Sequence, residues 1–397
     1  MLGLLCAVGG LFYPVGPDGI YIYMIGAFSY SIGALFVWFL PKLRMARVSR
    51  TPDGNRRTGK AFLILLLSIV AALPFLIVYT RAQAYNSSSD SFWTGVRSSY
   101  IEQNDLPGGG TMGVANLAPI YIVLAFIAVL ELTVNPRYRR TLLTFFGLVF
   151  LFQLVLVARS NIMQLLVGAV AICAIRRGRL PVRVILLSVL LFLFVFGLNQ
   201  FVLGKLDSNW SGPTSAKAAS FGRGSMAYTV GPLVAFDDVI SHPHHVLNTW
   251  KVYKPFVRLA NKFGAGLPEL SQHLDYTEIA PGLVTNVYTF YFTYYADFGI
   301  PGIIVASVLF GALSTVVYRM ARQNSPMGIV LYALVVYGVI MSTFAECVCL
   351  EVFLWLKAAI SVTFFYYLLP STSVTDRYPR RADPLSTTEA CGPPVAQ

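Results

Sequence analysis

Three groups of residues in this chain combine a reactive side chain with a place outside any long apolar run. The first is a set of arginines: Arg159 in the tight turn Val-Ala-Arg-Ser-Asn, Arg223 in Ser-Phe-Gly-Arg-Gly-Ser, and Arg258 behind an aromatic stretch. A guanidinium keeps its charge at any physiological pH and grips phosphate oxygens two at a time, so arginines at a membrane surface suit a diphosphate. The same residues can also serve as anchors, with their stems in lipid and their heads in water. The second group is Ser241-His-Pro-His-His245, beside Asp237 and Asp238. His244 or His245 can act as a base near neutral pH, while Pro243 and the missing Cys or carboxylate partners speak against a metal site; a solvated loop cluster is the plain alternative. The third is Asn286 to Gly302, NVYTFYFTYYADFGIPG, which passes from aromatic residues through Asp297 into an apolar helix. Asp297 can cap the helix that carries Pro301 in its first turn, hold an arginine, or bind a sugar hydroxyl. Glu346, Glu351 and Lys357 lie near the ends of the last apolar runs, where a mutual ion pair is the default.

The absent patterns narrow the chemistry. There is no Asp-x-Asp pair to hold a metal-bound nucleotide donor, and no Walker, dinucleotide-binding, zinc-protease or nucleophile-elbow motif. The reading therefore carries no metal and no cofactor. Five cysteines, mostly in or beside apolar runs, look like small hydrophobic residues rather than a disulfide framework.

The surrounding composition says what must position these groups. Of 397 residues, 56% are hydrophobic and 12% charged, which excludes a soluble enzyme and points to a multi-span membrane protein. The net charge of +12 would suit a nucleic-acid partner if it formed one patch, but it does not. Nineteen of the 30 Lys and Arg fall in 42–60, 137–140, 176–183, 319–322 and the tail after 370, with only Asp53, Asp376, Asp383 and Glu389 among them. Short basic loops between apolar runs orient spans with those loops in the cytoplasm, so the charge reports topology and no nucleic acid is expected.

At about 20 apolar residues per crossing, helices are predicted near 2–14, 19–40, 61–80, 115–133, 141–158, 161–175, 184–203, 299–318, 327–345 and 350–369. The expected fold is an all-α polytopic membrane protein of about ten spans, with both termini cytoplasmic. It divides into a bundle over 1–203 with an outer loop at 81–114, a large extracytoplasmic loop over 204–297, further membrane helices over 298–370, and a polar tail over 371–397. The large loop is too aromatic to be a disordered linker. Within it Val246 to Val257, interleaved with Lys251, Lys254 and Arg258 and interrupted by Pro255, reads as a broken amphipathic helix lying in the membrane interface.

Ala158-Arg-Ser-Asn161 opening a helix, Gly222-Arg-Gly224, the Lys251 to Arg258 stretch, and above all Asn286-x-x-Thr289 followed by Asp297-Phe-Gly299 and Gly302 resemble the bacterial O-antigen polymerase (Wzy) group of oligosaccharide repeat-unit polymerases. In architecture the resemblance covers most of the chain. It implies transfer of a growing glycan from undecaprenyl diphosphate to the sugar of a new lipid-linked repeat unit, on the outer face of the bacterial cytoplasmic membrane. It further implies membrane lipids, a chain-length regulator and a flippase as partners. On this reading Arg159, Arg223 and Arg258 take the diphosphate, and His244, His245 or Asp297 supplies the base. Trp250, Tyr253, Asn286 and Thr289 then hold sugar. The rival readings are a glycan ligase of the same superfamily, a flippase of lipid-linked sugars, and a non-catalytic membrane scaffold.

Overall fold

The computed structural model describes residues 12–40, 57–86, 113–134, 138–155, 159–179, 181–202, 230–242, 251–268, 276–281 and 283–368. In chain order these form α1 (Pro17–Phe39), α2 (Arg57–Asn86), α3 (Gly113–Val134), α4 (Arg139–Val155), α5 (Arg159–Arg177), α6 (Val182–Val202), and α7 over 230–241. A 3₁₀ turn (Lys251–Tyr253) then leads into α8 (Lys254–Lys262). After it come β1 (Thr277–Ala280), β2 (Leu283–Thr285), α9 (Phe290–Arg322), α10 (Pro326–Met341) and α11 (Val352–Thr363), which runs on through a wide turn at Phe364–Leu368.

The apolar runs fold as helices, as their lengths require in lipid, where each backbone polar group must be satisfied within the protein. Four segments are long and apolar enough to cross a membrane: Pro17–Phe39, Phe62–Arg81, Ser160–Arg177 and Phe290–Arg322. Shorter apolar helices at Ala118–Thr133, Val182–Phe194, Pro326–Met341 and Val352–Tyr366 accompany them. Of the span expected at 2–14, residues 2–11 lie outside the described residues and 12–14 are not helical. The molecule is thus a mostly helical, membrane-embedded protein.

Helix α3 is apolar all round, and every residue from Tyr121 to Leu130 is buried, as befits the central rod of a bundle. Helices α4, α5, α10 and α11 pack around it. Rings on α1, α2 and α6, such as Phe28, Phe36, Phe75 and Phe194, are exposed where lipid would lie.

The most extensive helix pair is α1 with α9, which run in the same direction. Gly19, Gly26 and Gly33 recur every seventh residue along α1. The ring of Tyr291 fills the space over Gly26, and the Val308 carbonyl sits where a side chain on Gly33 would be. Gly311 of α9 answers with an equally close approach to the Tyr30 carbonyl. Small residues at such contacts let two helix backbones touch, which is the main source of helix association where no hydrophobic driving force exists.

Two departures from the sequence expectation concern the large loop. Part of it is a buried helix, α7, whose Val234, Ala235, Phe236 and Val239 pack into the core formed by α1 and α9. A hairpin follows, in which β-branched Thr277, Ile279, Val284 and Thr285 flank the turn at Pro281; Tyr13 donates its backbone N–H to the Ile279 carbonyl at 2.9 Å. The hairpin is short, four residues against three, and the described fold remains mostly helical. The loop was also expected to end at residue 297, with a helix starting at 299. Instead α9 is helical from Phe290, and the chain kinks at Gly299, whose φ of 65° is left-handed. Burial of Phe290, Tyr291, Phe292 and Tyr294 against α1 and α7 outweighs the modest helix preference of aromatic residues.

A side chain at Gly33 would collide with backbone, so Gly33→Leu should destabilise the α1–α9 pair by about 1–3 kcal/mol or more. Gly147 has open space around it, and Gly147→Ala should leave stability unchanged or raise it slightly. Thermal unfolding of both variants in detergent, followed by helical circular dichroism, should show a lowered midpoint for the first alone.

Candidate functional site

The helix ends sort into two chemically different faces. At one end lie Arg139, Arg140, Arg176, Arg177, Arg319 and Arg322. There Arg319 donates to the carbonyls of Trp38 and Leu40 at the close of α1, and Arg176 donates to Asn324 at 2.9 Å. The opposite end gathers the starts of α1, α3, α5, α9 and α11, and it is organised by three carboxylates.

Each of these carboxylates binds backbone N–H groups, two of them in a distant segment and one within its own connection. Asp237 of α7 accepts from Gly16 (2.8 Å) and Gly19 (3.2 Å), capping α1, whose own N-cap is a glycine with no side chain to offer. Gly19 is what admits it, since a Cβ there would lie 2.2 Å from the carboxylate. Asp297 of α9 accepts from Lys251 (3.1 Å) and Val252 (2.8 Å), fixing the 3₁₀ turn that leads into α8. Glu346, 5% exposed, accepts from Val348, Cys349 and Leu350 at 2.7–2.8 Å and from the Tyr294 hydroxyl at 3.0 Å. It ties α9 to the α10–α11 connection. Burial pushes the Glu346 carboxyl above its ordinary range, against the lowering effect of its four donors.

Beside Glu346, Glu351 stands at the start of α11 and makes no capping bond to its own helix. Its carboxyl is pushed up to about 7, chiefly by burial and then by the charge of Glu346; the Gln164 amide of α5 works in the opposite direction. Gln164 is 2% exposed, and its Nε2 makes no hydrogen bond of ordinary geometry. Nearby on the same end, Asn161 donates to Gln153, and Gln153 donates to the Ala118 carbonyl of α3.

The expected site residues are distributed as follows. Asp297 is a cap, but of the Lys251 turn rather than of the helix that contains Pro301. Tyr253 is exposed and packs edge-on against Phe298. Thr289 is the N-cap of α9; it is buried, its hydroxyl has no partner, and the N–H of Phe290 goes to the Ser342 carbonyl. Asn286 is half-buried just before it. Arg159 is the first residue of α5 and Arg258 lies in α8, while their side chains fall outside the described residues, as do Arg223, His244, His245 and Trp250. Of the histidine cluster, His242 is described, exposed, 3.1 Å from Asp238 one turn earlier. The broken amphipathic helix is present from Lys251 onward, and Pro255 restarts it in the first turn of α8. Phe256, Leu259 and Phe263 are exposed on it, as an interfacial helix requires.

An apolar groove of about 500 Å³ begins beneath this turn. Val252, Phe298, Val348 and Cys349 frame its upper part, and it follows α9 past Val305 and Leu309 to Leu313. Lys251 sits close by, its ammonium 3.9 Å from the centre of the Phe292 ring. The site therefore offers an apolar trough along α9, a turn carrying Lys251 and Tyr253 on either side of the lining residue Val252, and one half-buried carboxylate, Glu351, that is not consumed as a cap.

The Asp297 bonds are charge-assisted and worth about 1.5–3 kcal/mol in exchange for water. In Asp297→Ala, the Lys251 and Val252 amides should exchange with deuterium at least about tenfold faster, while the α3 core remains protected. Peptide-level exchange measured by mass spectrometry checks this.

No family model matches the chain, and no curated protein or solved structure matches it.

Proposed function

We propose that this chain is a metal-independent glycosyltransferase that polymerises lipid-linked oligosaccharide repeat units on the outer face of the bacterial cytoplasmic membrane, for O-antigen, capsule or exopolysaccharide synthesis. The donor is a growing glycan on undecaprenyl diphosphate, and the acceptor is a new lipid-linked unit. The observation that carries the reading is the groove along α9 and its position. A carrier of this kind has a long apolar chain, an anionic diphosphate and a polar glycan, and it needs a trough within the lipid that ends at cations and aromatic rings. The groove runs from Leu313 up to Val252, whose neighbours in the turn are Lys251 and Tyr253, and this sequence of apolar trough, cation and ring supports the reading.

The charge pattern supports the orientation. Under the positive-inside rule the arginine-rich helix ends face the cytoplasm, which turns the carboxylate-rich end, α8 and the groove mouth outward. Chemically, a lipid diphosphate is a good leaving group once cations take up its developing charge, so Arg159, Arg223 and Arg258 are assigned to it together with Lys251. Tyr253 is assigned a sugar face. Asp297 is better suited to holding the Lys251 turn than to moving a proton, because both of its oxygens already accept backbone N–H groups.

Deleting the gene in its host and resolving the extracted surface glycans on a gel tests the reading. Collapse of the ladder to single repeat units, restored by the wild-type gene and restored poorly by Arg159→Ala or Arg223→Ala, is the expected result. A ladder of unchanged length stranded on its lipid carrier would indicate a ligase instead, and repeat units held inside the cell would indicate a flippase.

A further inference from the structure

Helix α8 forms its own ends but is not packed by the bundle. Pro255 sits in its first turn, where a missing N–H is no loss. Gly264, with φ 85°, closes it, as the N–H groups of Gly264 and Ala265 return to the Asn261 and Ala260 carbonyls at 3.0 and 3.1 Å. The Asn261 side chain then accepts from the Leu267 N–H (2.7 Å) and donates to the Leu267 carbonyl (2.9 Å), which fixes the chain beyond. Among the described elements, the 3₁₀ turn that feeds α8 is the one it touches at more than isolated points. A helix of nine residues is too short to hold together in water by its own hydrogen bonds. An outside surface has to supply what the bundle does not.

The residues say what kind of surface that is. Phe256 and Leu259, three positions apart, are exposed on one side of α8. Lys254, Arg258 and Lys262 recur at every fourth position, so the cations form a row of their own along the helix. No acidic residue occurs between Asp238 and Glu269. A surface that takes rings and positive charge side by side is the boundary of a bilayer with anionic headgroups, where rings enter the edge of the hydrocarbon and cations meet phosphate. The apolar groove does not meet this need, because the residue it takes from this arm is Val252, in the turn, and not one of α8. Lys251 and Arg258 have a place in the diphosphate reading; Lys254 and Lys262 have none, and they carry the assignment made here.

We propose that α8 docks on anionic phospholipid headgroups of the bilayer around the protein, with Phe256 and Leu259 at the hydrocarbon edge and Lys254 and Lys262 among the phosphates, and so anchors the rim of the apolar groove. The link to the groove is short. Helix α8 begins where the 3₁₀ turn ends, and that turn sets Val252 on the groove beside Phe298. Asp297 holds the turn through the Lys251 and Val252 amides. Lipid charge secures the same rim from the helix side of the turn. The proposal does not depend on the polymerase reading; it needs only the membrane.

The test is hydrogen–deuterium exchange of the full-length protein, one copy per lipid nanodisc, read by mass spectrometry on peptides covering 251–262. Discs of phosphatidylcholine alone are compared with discs of phosphatidylcholine and phosphatidylglycerol mixed two to one. Each cation near an anionic surface is worth about a fivefold change, so α8 should exchange at least about tenfold more slowly in the anionic discs. The rate is taken relative to the β1–β2 hairpin of the same molecule, which corrects for the lower pH at a charged surface. Raising the salt to about 1 M, which cuts the screening length to about 3 Å, should remove most of the difference. Lys254→Gln combined with Lys262→Gln should remove most of it at low salt, with α3 still protected; if that variant does not fold, the salt series on the wild-type protein decides. Equal exchange in the two kinds of disc, or a difference that persists at high salt, would overturn the proposal. Protection that appears in discs holding two copies and not in discs holding one would overturn it too, and assign the face to a second chain. A failed polymerisation assay leaves it standing.

Discussion

The constraint on which this molecule turns is that the ends of helices expose N–H groups that must be bonded even where water is scarce. In α1 and in the Lys251 turn a carboxylate from a distant segment does it: Asp237 for Gly16 and Gly19, and Asp297 for Lys251 and Val252. In the connection before α11 a local one does, Glu346, for Val348, Cys349 and Leu350. The first two bond sets join elements that the chain leaves apart. Asp237 fastens the 230–241 helix to the first described one across more than 200 residues, and Tyr294 of α9 donates to the Glu346 oxygen that also takes Val348 and Cys349. These charge-assisted contacts are individually strong for hydrogen bonds, and their removal leaves a buried group uncompensated.

From this follows a division of labour between the two ends of the bundle. The end with arginines closes helices through their carbonyls, as Arg319 does for α1. The end with carboxylates closes them through their amides and, in doing so, fixes the turn whose Val252 lines the apolar groove beside Phe298. Glycine is the other half of the device. Gly19 lets Asp237 reach the backbone, and Gly33 and Gly311 let α1 and α9 touch, so the groove is carried on a helix that has a rigid backing.

Much of the helical frame was legible in the residues. Apolar runs of near-membrane length and the basic loops between them mark α1 to α6, α10 and α11 to within a few residues, because length and polarity in lipid allow no other structure. The start of α9 was not legible, since Phe290 to Asp297 is aromatic enough to pass for an exposed loop, and only its burial against α1 and α7 makes it helical. Helix α7 was missed for a similar reason: Val-Gly-Pro-Leu-Val-Ala-Phe is short and contains Gly and Pro, which read as breakers. Among the site residues, Asp297 reads in the sequence as a cap of the helix that carries Pro301, whereas it holds the Lys251 turn, and a cap supplied across 45 residues leaves no local spacing to read.

The account depends most directly on which side of the membrane the carboxylate-rich end faces, because glycan assembly on an exported lipid carrier requires it to be outside. Single cysteines at Phe263, which is 84% exposed on that end, and at Gln323, exposed at the opposite end, can be probed in intact cells with a membrane-impermeant maleimide. The account predicts labelling at position 263 without permeabilisation and labelling at position 323 only after it. The reverse pattern would contradict it.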